Sequence, residues 1–273
     1  MTTHDSVQGV APSSEDLGAG QGGVMAGGLE ANEFDVHLPH LDPKTLSGQL
    51  IVIEGPDGSG RSTQIKLLTE WLEIQGHAVQ TMGLRRSRLL AENIDALLSS
   101  NELQPLTMAL LYATDFFDQL ANRIIPALQG GFVVLADRYI YTLMTRAAVR
   151  GMGRDYLSKI YEFAVKPDLL FHLDIPPTDA FDRLFEKQNS VSYWETGRDL
   201  DLSPNLYDSF LQYQQMLRDE FVVQTEGREL ERINGSLRVA EVNRRLRESV
   251  GGLLQIEDLS YEPSDELLPL WRL

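Results

Sequence analysis

The stretch GPDGSGRST, Gly55 to Thr63, has the residue types and spacing to hold a phosphate group. Glycines 55, 58 and 60 let successive backbone N–H groups turn inward around an anion, with Ser59 between them. Ser62 is placed to offer its hydroxyl to Mg²⁺, and Thr63 to cap or support the turn. The pattern is G-x-x-x-x-G-K-[ST] except that Arg61 stands in the lysine position. A lysine there is a compact point charge, whereas arginine is a longer planar fork. The charge survives, so phosphate binding is expected to survive. Transfer chemistry is left open between slowed, retuned and lost, because an ångström-scale displacement can cost on the order of 100-fold in rate.

A second candidate pair, Asp137–Arg138, ends the apolar run GFVVLAD. Charged groups at the end of a buried strand are costly without partners, which leaves an anion site or a structural ion pair. Three further cations, Arg85, Arg86 and Arg88, follow the run AVQTMG.

Such groups need a scaffold, and the chain alternates two kinds of element. QLIVIEG (49–55), AVQTMG (78–83), GFVVLAD (131–137), LLFHLDI (169–175) and LERIN (230–234) read as short strands bounded by turn residues. Their near-continuous apolar character predicts burial on both faces, as in a parallel sheet. Between them lie helical patterns, among them Ile65, Leu68, Trp71 and Leu72 on one face and the segment Pro105 to Leu128. The expectation is an α/β domain, a doubly wound five-stranded parallel sheet with ligands at the carboxyl ends of its strands. Ile51–Val52–Ile53 leading into Gly55, with a helical pattern from Gly60, is the strand–loop–helix context the phosphate motif requires. Residues 1–48, with their GAGQGG and AGG runs, read as a disordered Gly/Ser-rich tail, 49–251 as the nucleotide-binding domain, and 252–273 as an acidic, solvated tail. Leu267, Leu268, Leu270 and Trp271 offer that last segment an alternative, docking.

Composition narrows the function. The formal net charge of −16 argues against a nucleic-acid or anionic-membrane surface, so an anionic ligand must be small and met by local arginines. The absence of cysteine excludes thiolate metal sites and cysteine nucleophiles. No apolar run approaches a membrane span and the start of the chain lacks the pattern of a secretory signal, so a cytoplasmic protein is expected.

Taken in order, IEGPDGSGRSTQ, LLYATDF, LADRY, LLFHLDIPP and RINGS resemble the thymidylate kinase family of P-loop nucleoside monophosphate kinases, over roughly residues 49–250. The resemblance implies a P-loop nucleoside-triphosphate hydrolase type of fold. It also implies an ATP site over Gly55, Gly58, Ser59, Gly60, Arg61, Ser62 and Thr63, with Mg²⁺ at Ser62, and an acceptor site beside it. It implies that Asp57 faces the acceptor sugar, the residue-level alternative being a cap on the loop's own amides. Arg138 would hold the acceptor phosphate and Asp137 would orient it or act through metal-bound water. Arg85 or Arg88 would meet the same phosphate, with a solvated basic turn as the alternative. Tyr112 would stack on the base or belong to the core, and Phe116 stands in the acceptor pocket where the family carries a base-reading arginine. Lys187 or Arg198 would close from a lid around 189–203, and Asn234–Gly235–Ser236 would lie against adenine.

The match breaks at the base. Besides Phe116, Ala147 stands for an expected glutamine and Arg146 for a tyrosine. The implied activity is transfer of the γ-phosphate of ATP to a nucleoside monophosphate, with thymidylate as the family's acceptor and a homodimer as its common assembly. Arg61 and the altered base pocket motivate the alternative, a catalytically weak or inactive nucleotide-binding regulatory module.

Overall fold

The computed structural model describes residues 46–272. Five parallel strands, β1 (Gln49–Glu54), β2 (Val79–Gly83), β3 (Val133–Asp137), β4 (Leu169–Asp174) and β5 (Glu231–Asn234), form one sheet in the order β2-β3-β1-β4-β5. Ten α-helices are described: α1 (Arg61–Ile74), α2 (Ala91–Ser99), α3 (Pro105–Gln119), α4 (Ile125–Gln129), α5 (Ile140–Ala148), α6 (Arg154–Ile160), α7 (Pro177–Gln188), α8 (Leu206–Gln224), α9 (Val239–Leu254) and α10 (Leu268–Trp271). The doubly wound α/β expectation holds, each strand lying within about two residues of its sequence limits.

The central strand shows why its sequence is apolar throughout. Leu50 and Val52 point into a core shared with Phe116 and Leu120 and with Tyr139 and Leu143. Ile51 and Ile53 point to the opposite core, with Leu68, Trp71, Leu246 and Val250. Successive side chains alternate across a strand, so burial on both faces requires apolar residues at every position. The apolar face read at Ile65, Leu68, Trp71 and Leu72 is buried as one stripe of α1.

The helical pattern of Pro105 to Leu128 holds, with a π-helical turn at Leu120–Ile124 between α3 and α4. Pro126 has no N–H to donate and its ring crowds the preceding turn, so the ladder widens there, with Ile125 N–H reaching Leu120 O. One expectation is corrected: the C-terminal segment docks instead of being a solvated tail. Ile256, Leu259 and Tyr261 pack on the core beneath α1 and α9. Glu70 accepts hydrogen bonds from Tyr261 Oη (2.8 Å), Ser264 N (2.9 Å) and Ser264 Oγ. The Arg247 guanidinium lies over the rings of Trp71 and Tyr261, 6.0 and 5.4 Å from their centroids, and donates to Leu259 O. Leu267, Leu268, Leu270 and Trp271 are only half-buried, and Trp271 meets Tyr261 edge-on. The acidic composition masked three apolar residues that pack on the core.

A chain ending at Gln255 is therefore expected to keep its far-UV circular dichroism per residue but lose about 2–4 kcal/mol of stability, from partial burial of three apolar side chains and the bonds to Glu70. Denaturant titration of the truncated and full chains checks this, and equal midpoints would overturn it.

The disordered-tail expectation for 1–48 lies outside the described residues except at Leu46–Gly48. There Ser47 N and Gly48 N donate to Leu128 O at 3.1 and 2.8 Å and lead into β1.

Candidate active site

The phosphate-binding loop joins β1 to α1 at the carboxyl edge of the central strand. Two of its glycines are dictated by space as well as by conformation. Gly55 has φ 149° and a Cβ there would lie 2.7 Å from Leu173 O; Gly58 has φ 84° and a Cβ would lie 2.9 Å from Ala180 O. The loop is thus pressed between β4 and α7. Helix α1 has no acidic residue in its own first turn, and its N-terminus carries a partial positive charge toward the loop. Its N-cap is Gly60, which has no side chain to cap with, and Thr63 is half-buried in that turn.

Arg61 is buried inside this loop. Its Nε donates to Asp137 Oδ1 at 2.8 Å, and one terminal nitrogen donates to Gly55 O, Pro56 O and, at 3.2 Å, Ser59 Oγ. The guanidinium thereby ties the start of the loop to the end of β3, a task its fork performs with two faces at once.

Asp57 lies at the centre of three arginines. Arg138 and Arg146 donate to its two oxygens, the latter at 2.9 Å, and Arg61 approaches to 3.6 Å. Burial pushes the Asp57 carboxyl up, but Arg138, Arg146 and Arg61 together outweigh it and hold it well below the usual carboxylate range. The alternative of a cap on the loop's own amides is not seen among the described residues; the carboxylate is spent on cations. Asp137 is also buried, and Arg61, Arg138 and the Ser62 hydroxyl outweigh that burial and lower its pKa. Ser62 Oγ donates to Asp137 Oδ2 at 2.8 Å, so the structure joins two residues that lie far apart in sequence.

Arg138 adopts φ 71°, the left-handed region that non-glycine residues avoid, and its N–H bonds Ile53 O at 3.0 Å. Backbone strain of this kind persists only where surrounding structure enforces it. Burial lowers its pKa to about 10, leaving it charged at neutral pH, and its buried Nε has no hydrogen-bond partner among the described residues.

Supporting residues were not legible as such in the sequence. Glu54, wholly buried, accepts from Tyr139 N (3.0 Å), Thr142 N (3.1 Å) and Thr142 Oγ1, and so fixes the start of α5 behind Arg138. Asp115 accepts from Arg85 N (2.8 Å), Ser87 N (2.9 Å) and Gln119 Nε2 (3.0 Å), and so shapes the arginine turn. Arg183 bridges Gly58 O and Gly235 O at 3.3 and 2.9 Å, linking the phosphate loop to the turn after β5. A carboxylate closing an apolar strand was the available signal for Glu54; Asp115 and Arg183 carried none.

A broad polar cavity opens over these groups, bordered by Asp57, Arg61, Ser62, Arg85, Arg86, Asp137 and Arg138. Beside it lies a smaller aromatic cavity with Tyr112, Ala147, Tyr161, Trp194 and Tyr213. Tyr112 borders both, Ala147 only the aromatic one. The lid segment crosses above: Trp194 Nε1 donates to Leu98 O at 2.8 Å, and Arg150 grips Asp199 with bonds of 2.7 and 3.1 Å.

Three expected placements differ. Phe116 is not in either cavity; it is fully buried, edge-on to Tyr139 and Tyr161 at 5.2 and 5.7 Å, because an apolar ring on the inner face of α3 gains more from the core than from a polar cleft. Arg88 borders a separate cavity with Gln80, Asp118 and Arg123, while Arg85 and Arg86 face the polar one. Arg198 donates to Ser203 O and Pro204 O of its own loop, and Lys187 borders neither cavity, so the cations come from the core elements. Asn234–Gly235–Ser236 forms a tight turn held by Gly235 N to Asp174 O at 2.8 Å.

The donor set suits Mg²⁺. Ser62 and Asp137 present hard oxygen atoms side by side at the mouth of a phosphate loop, and Mg²⁺ takes one or two protein oxygens, completing its shell with water and phosphate.

The family model for thymidylate kinase matches residues 53–234. The chain belongs to the thymidylate kinase family. It is an ATP-dependent nucleoside monophosphate kinase by that membership. Among curated relatives, it is 36% identical to a "Probable thymidylate kinase 2" of Saccharolobus solfataricus over 62% of this chain and 79% of that protein. It is 32% identical to the "Thymidylate kinase" of Caldicellulosiruptor saccharolyticus over 67% of this chain and 90% of that protein. It is 30% identical to the "Thymidylate kinase" of Chlorobaculum parvum over 77% of this chain and 98% of that protein. Among the described residues no helix is long and apolar enough to cross a membrane.

Proposed function

We propose that this family member transfers the γ-phosphoryl group of ATP to thymidylate, giving the nucleoside diphosphate and ADP. The observation that carries the reading is the convergence of Arg61, Arg138 and the Ser62–Asp137 pair on one cavity that abuts an aromatic one. An acceptor phosphate is already anionic at neutral pH, so no protein nucleophile is required. An oxygen of that phosphate attacks the γ-phosphorus in line, a new P–O bond forms, and the bond to the β,γ-bridging oxygen breaks to release ADP. Catalysis is then positioning and charge neutralisation.

The residues have distinct tasks. The amides of Gly58 to Ser62 and the N-terminus of α1 bind the donor phosphates, with Arg61 beside them. Arg138 binds the acceptor phosphate from the border of the polar cavity, and Arg85, which borders the same cavity, adds charge. Tyr112 offers a face for the base. Mg²⁺, held by Ser62 and Asp137, would supply neutralisation of the donor phosphates. The alternative of an inactive regulatory module finds no support in the fold or in the curated relatives, and neither altered base-reading position removes a phosphate-binding group. Mononucleotides are the ligands the site fits, and a homodimer and a cytoplasmic location remain part of the reading on family grounds alone. So does the division into a tail at 1–48 and a kinase domain at 49–251.

ADP release from Mg·ATP, measured over a panel of nucleoside monophosphates with Asp137→Asn as control, tests the reading. Turnover greatest with thymidylate and lost in the control is the expected result. Turnover confined to another monophosphate would displace thymidylate, and no turnover above the control would overturn phosphoryl transfer.

A further inference from the structure

The polar and aromatic cavities share four bordering side chains: Tyr112, Arg146, Trp194 and Glu195. A nucleotide with its phosphate toward Arg138 and its base in the aromatic cavity has its sugar at that junction. Trp194 there bonds a helix carbonyl, and Glu195 accepts from Ser192 N at 2.8 Å. Arg146 is different. One terminal nitrogen donates to Asp57 Oδ2 at 2.9 Å, and its Nε and other terminal nitrogen donate to none of the described residues. The next arginine along α5 and its loop, Arg150, offers no such capacity, being spent on Asp199, Tyr213 and Arg146 O.

A guanidinium beside a carboxylate places donors next to an acceptor. A hydroxyl group is both, and so fits the pair: its oxygen accepts from arginine while its hydrogen goes to aspartate. Arginine's fork also presents donors in parallel, which matches two neighbouring oxygens better than one.

We propose that Arg146, backed by Asp57, is the sugar-reading residue of the acceptor site, and that its fork admits a ribose with adjacent hydroxyls as well as a deoxyribose. This rests on the phosphoryl-transfer reading above. Arg146 stands where the family often carries tyrosine, whose single hydroxyl cannot span a vicinal pair. Removal of Arg146 leaves Asp57 paired with Arg138 and approached by Arg61, so the local fold has reason to persist.

The test compares one base on two sugars: thymidine monophosphate and 5-methyluridine monophosphate, with the parent protein, Arg146→Met and Arg146→Lys. Both steady-state kinetics and calorimetric binding are recorded, with thermal melting to confirm folding. The parent is expected to use the two sugars within about tenfold of each other. Arg146→Met is expected to raise KM for the ribose form by about 10- to 100-fold, the loss of a charge-assisted hydrogen bond, and by less for the deoxy form. kcat changes little and lysine restores part of the loss. An unchanged ribose-to-deoxyribose ratio in Arg146→Met, or a parent that rejects the ribose form by more than about 100-fold, overturns the proposal. Should the parent turn over neither nucleotide, phosphoryl transfer falls, and the same ratio read from binding decides the role of Arg146.

Discussion

Arg61→Met is expected to lower kcat by about 100- to 1,000-fold, the usual cost of deleting one pre-organised group that stabilises developing charge. Methionine approximates the length of the arginine stem but offers neither charge nor donor. It would leave the carbonyls of Gly55 and Pro56 and one oxygen of Asp137 without the guanidinium that now joins them. Both the loop's shape and the field at the transferring phosphate are affected. Arg61→Lys should behave differently. A lysine ammonium reaches either the loop carbonyls or Asp137 but not both with the same geometry, and activity within about tenfold of the parent is expected, since the charge is kept. Steady-state ADP release with saturating acceptor, together with ATP binding, separates the two effects. An Arg61→Met protein within threefold of the parent would show that Arg61 acts only as a structural tie.

The second large effect is on stability. Asp57 is the counter-charge for Arg138 and Arg146 and lies near Arg61. Asp57→Ala leaves converging guanidiniums partly buried without it, and breaking a buried charge cluster on one side costs about 3–5 kcal/mol. At about 2–4 °C per kcal/mol for a domain of this size, the melting temperature should fall by roughly 10 °C. The cations that remain then form an anion site, so inorganic phosphate should recover part of the loss in Asp57→Ala and raise the parent's melting temperature less. A variant that melts with the parent would mean that solvent already screens the three arginines. Arg146→Met removes a cation from the same cluster and is expected to be much milder, which makes the pair of variants an internal control.

The arginines differ in what their sequence context reveals. Arg138 follows an aspartate at the end of an apolar strand, so its local neighbours already announce a charged group at a sheet edge. Arg85, Arg86 and Arg88 lie within four positions of one another and look equivalent in sequence, yet two border the polar cavity and the third does not. Asp115, thirty residues from Arg85, sets that difference by bonding the backbone of the turn. Arg146 read as a departure from a family pattern, and became a candidate only when α5 carried it against Asp57.

The sheet, the phosphate loop and the family could all be read from the order of residues. Those signals are local: apolar runs report burial within a few residues, and a glycine spacing reports a turn that no larger residue could make. Tertiary structure alone decided that Arg61 binds Asp137, that Asp57 gathers three arginines, that Phe116 belongs to the core and that residues 256–261 dock on α1 and α9. Apart from Arg61 beside Asp57, each of these joins groups distant in the chain. A side chain's partner across such a distance depends on strand order and helix packing, and no local pattern encodes either.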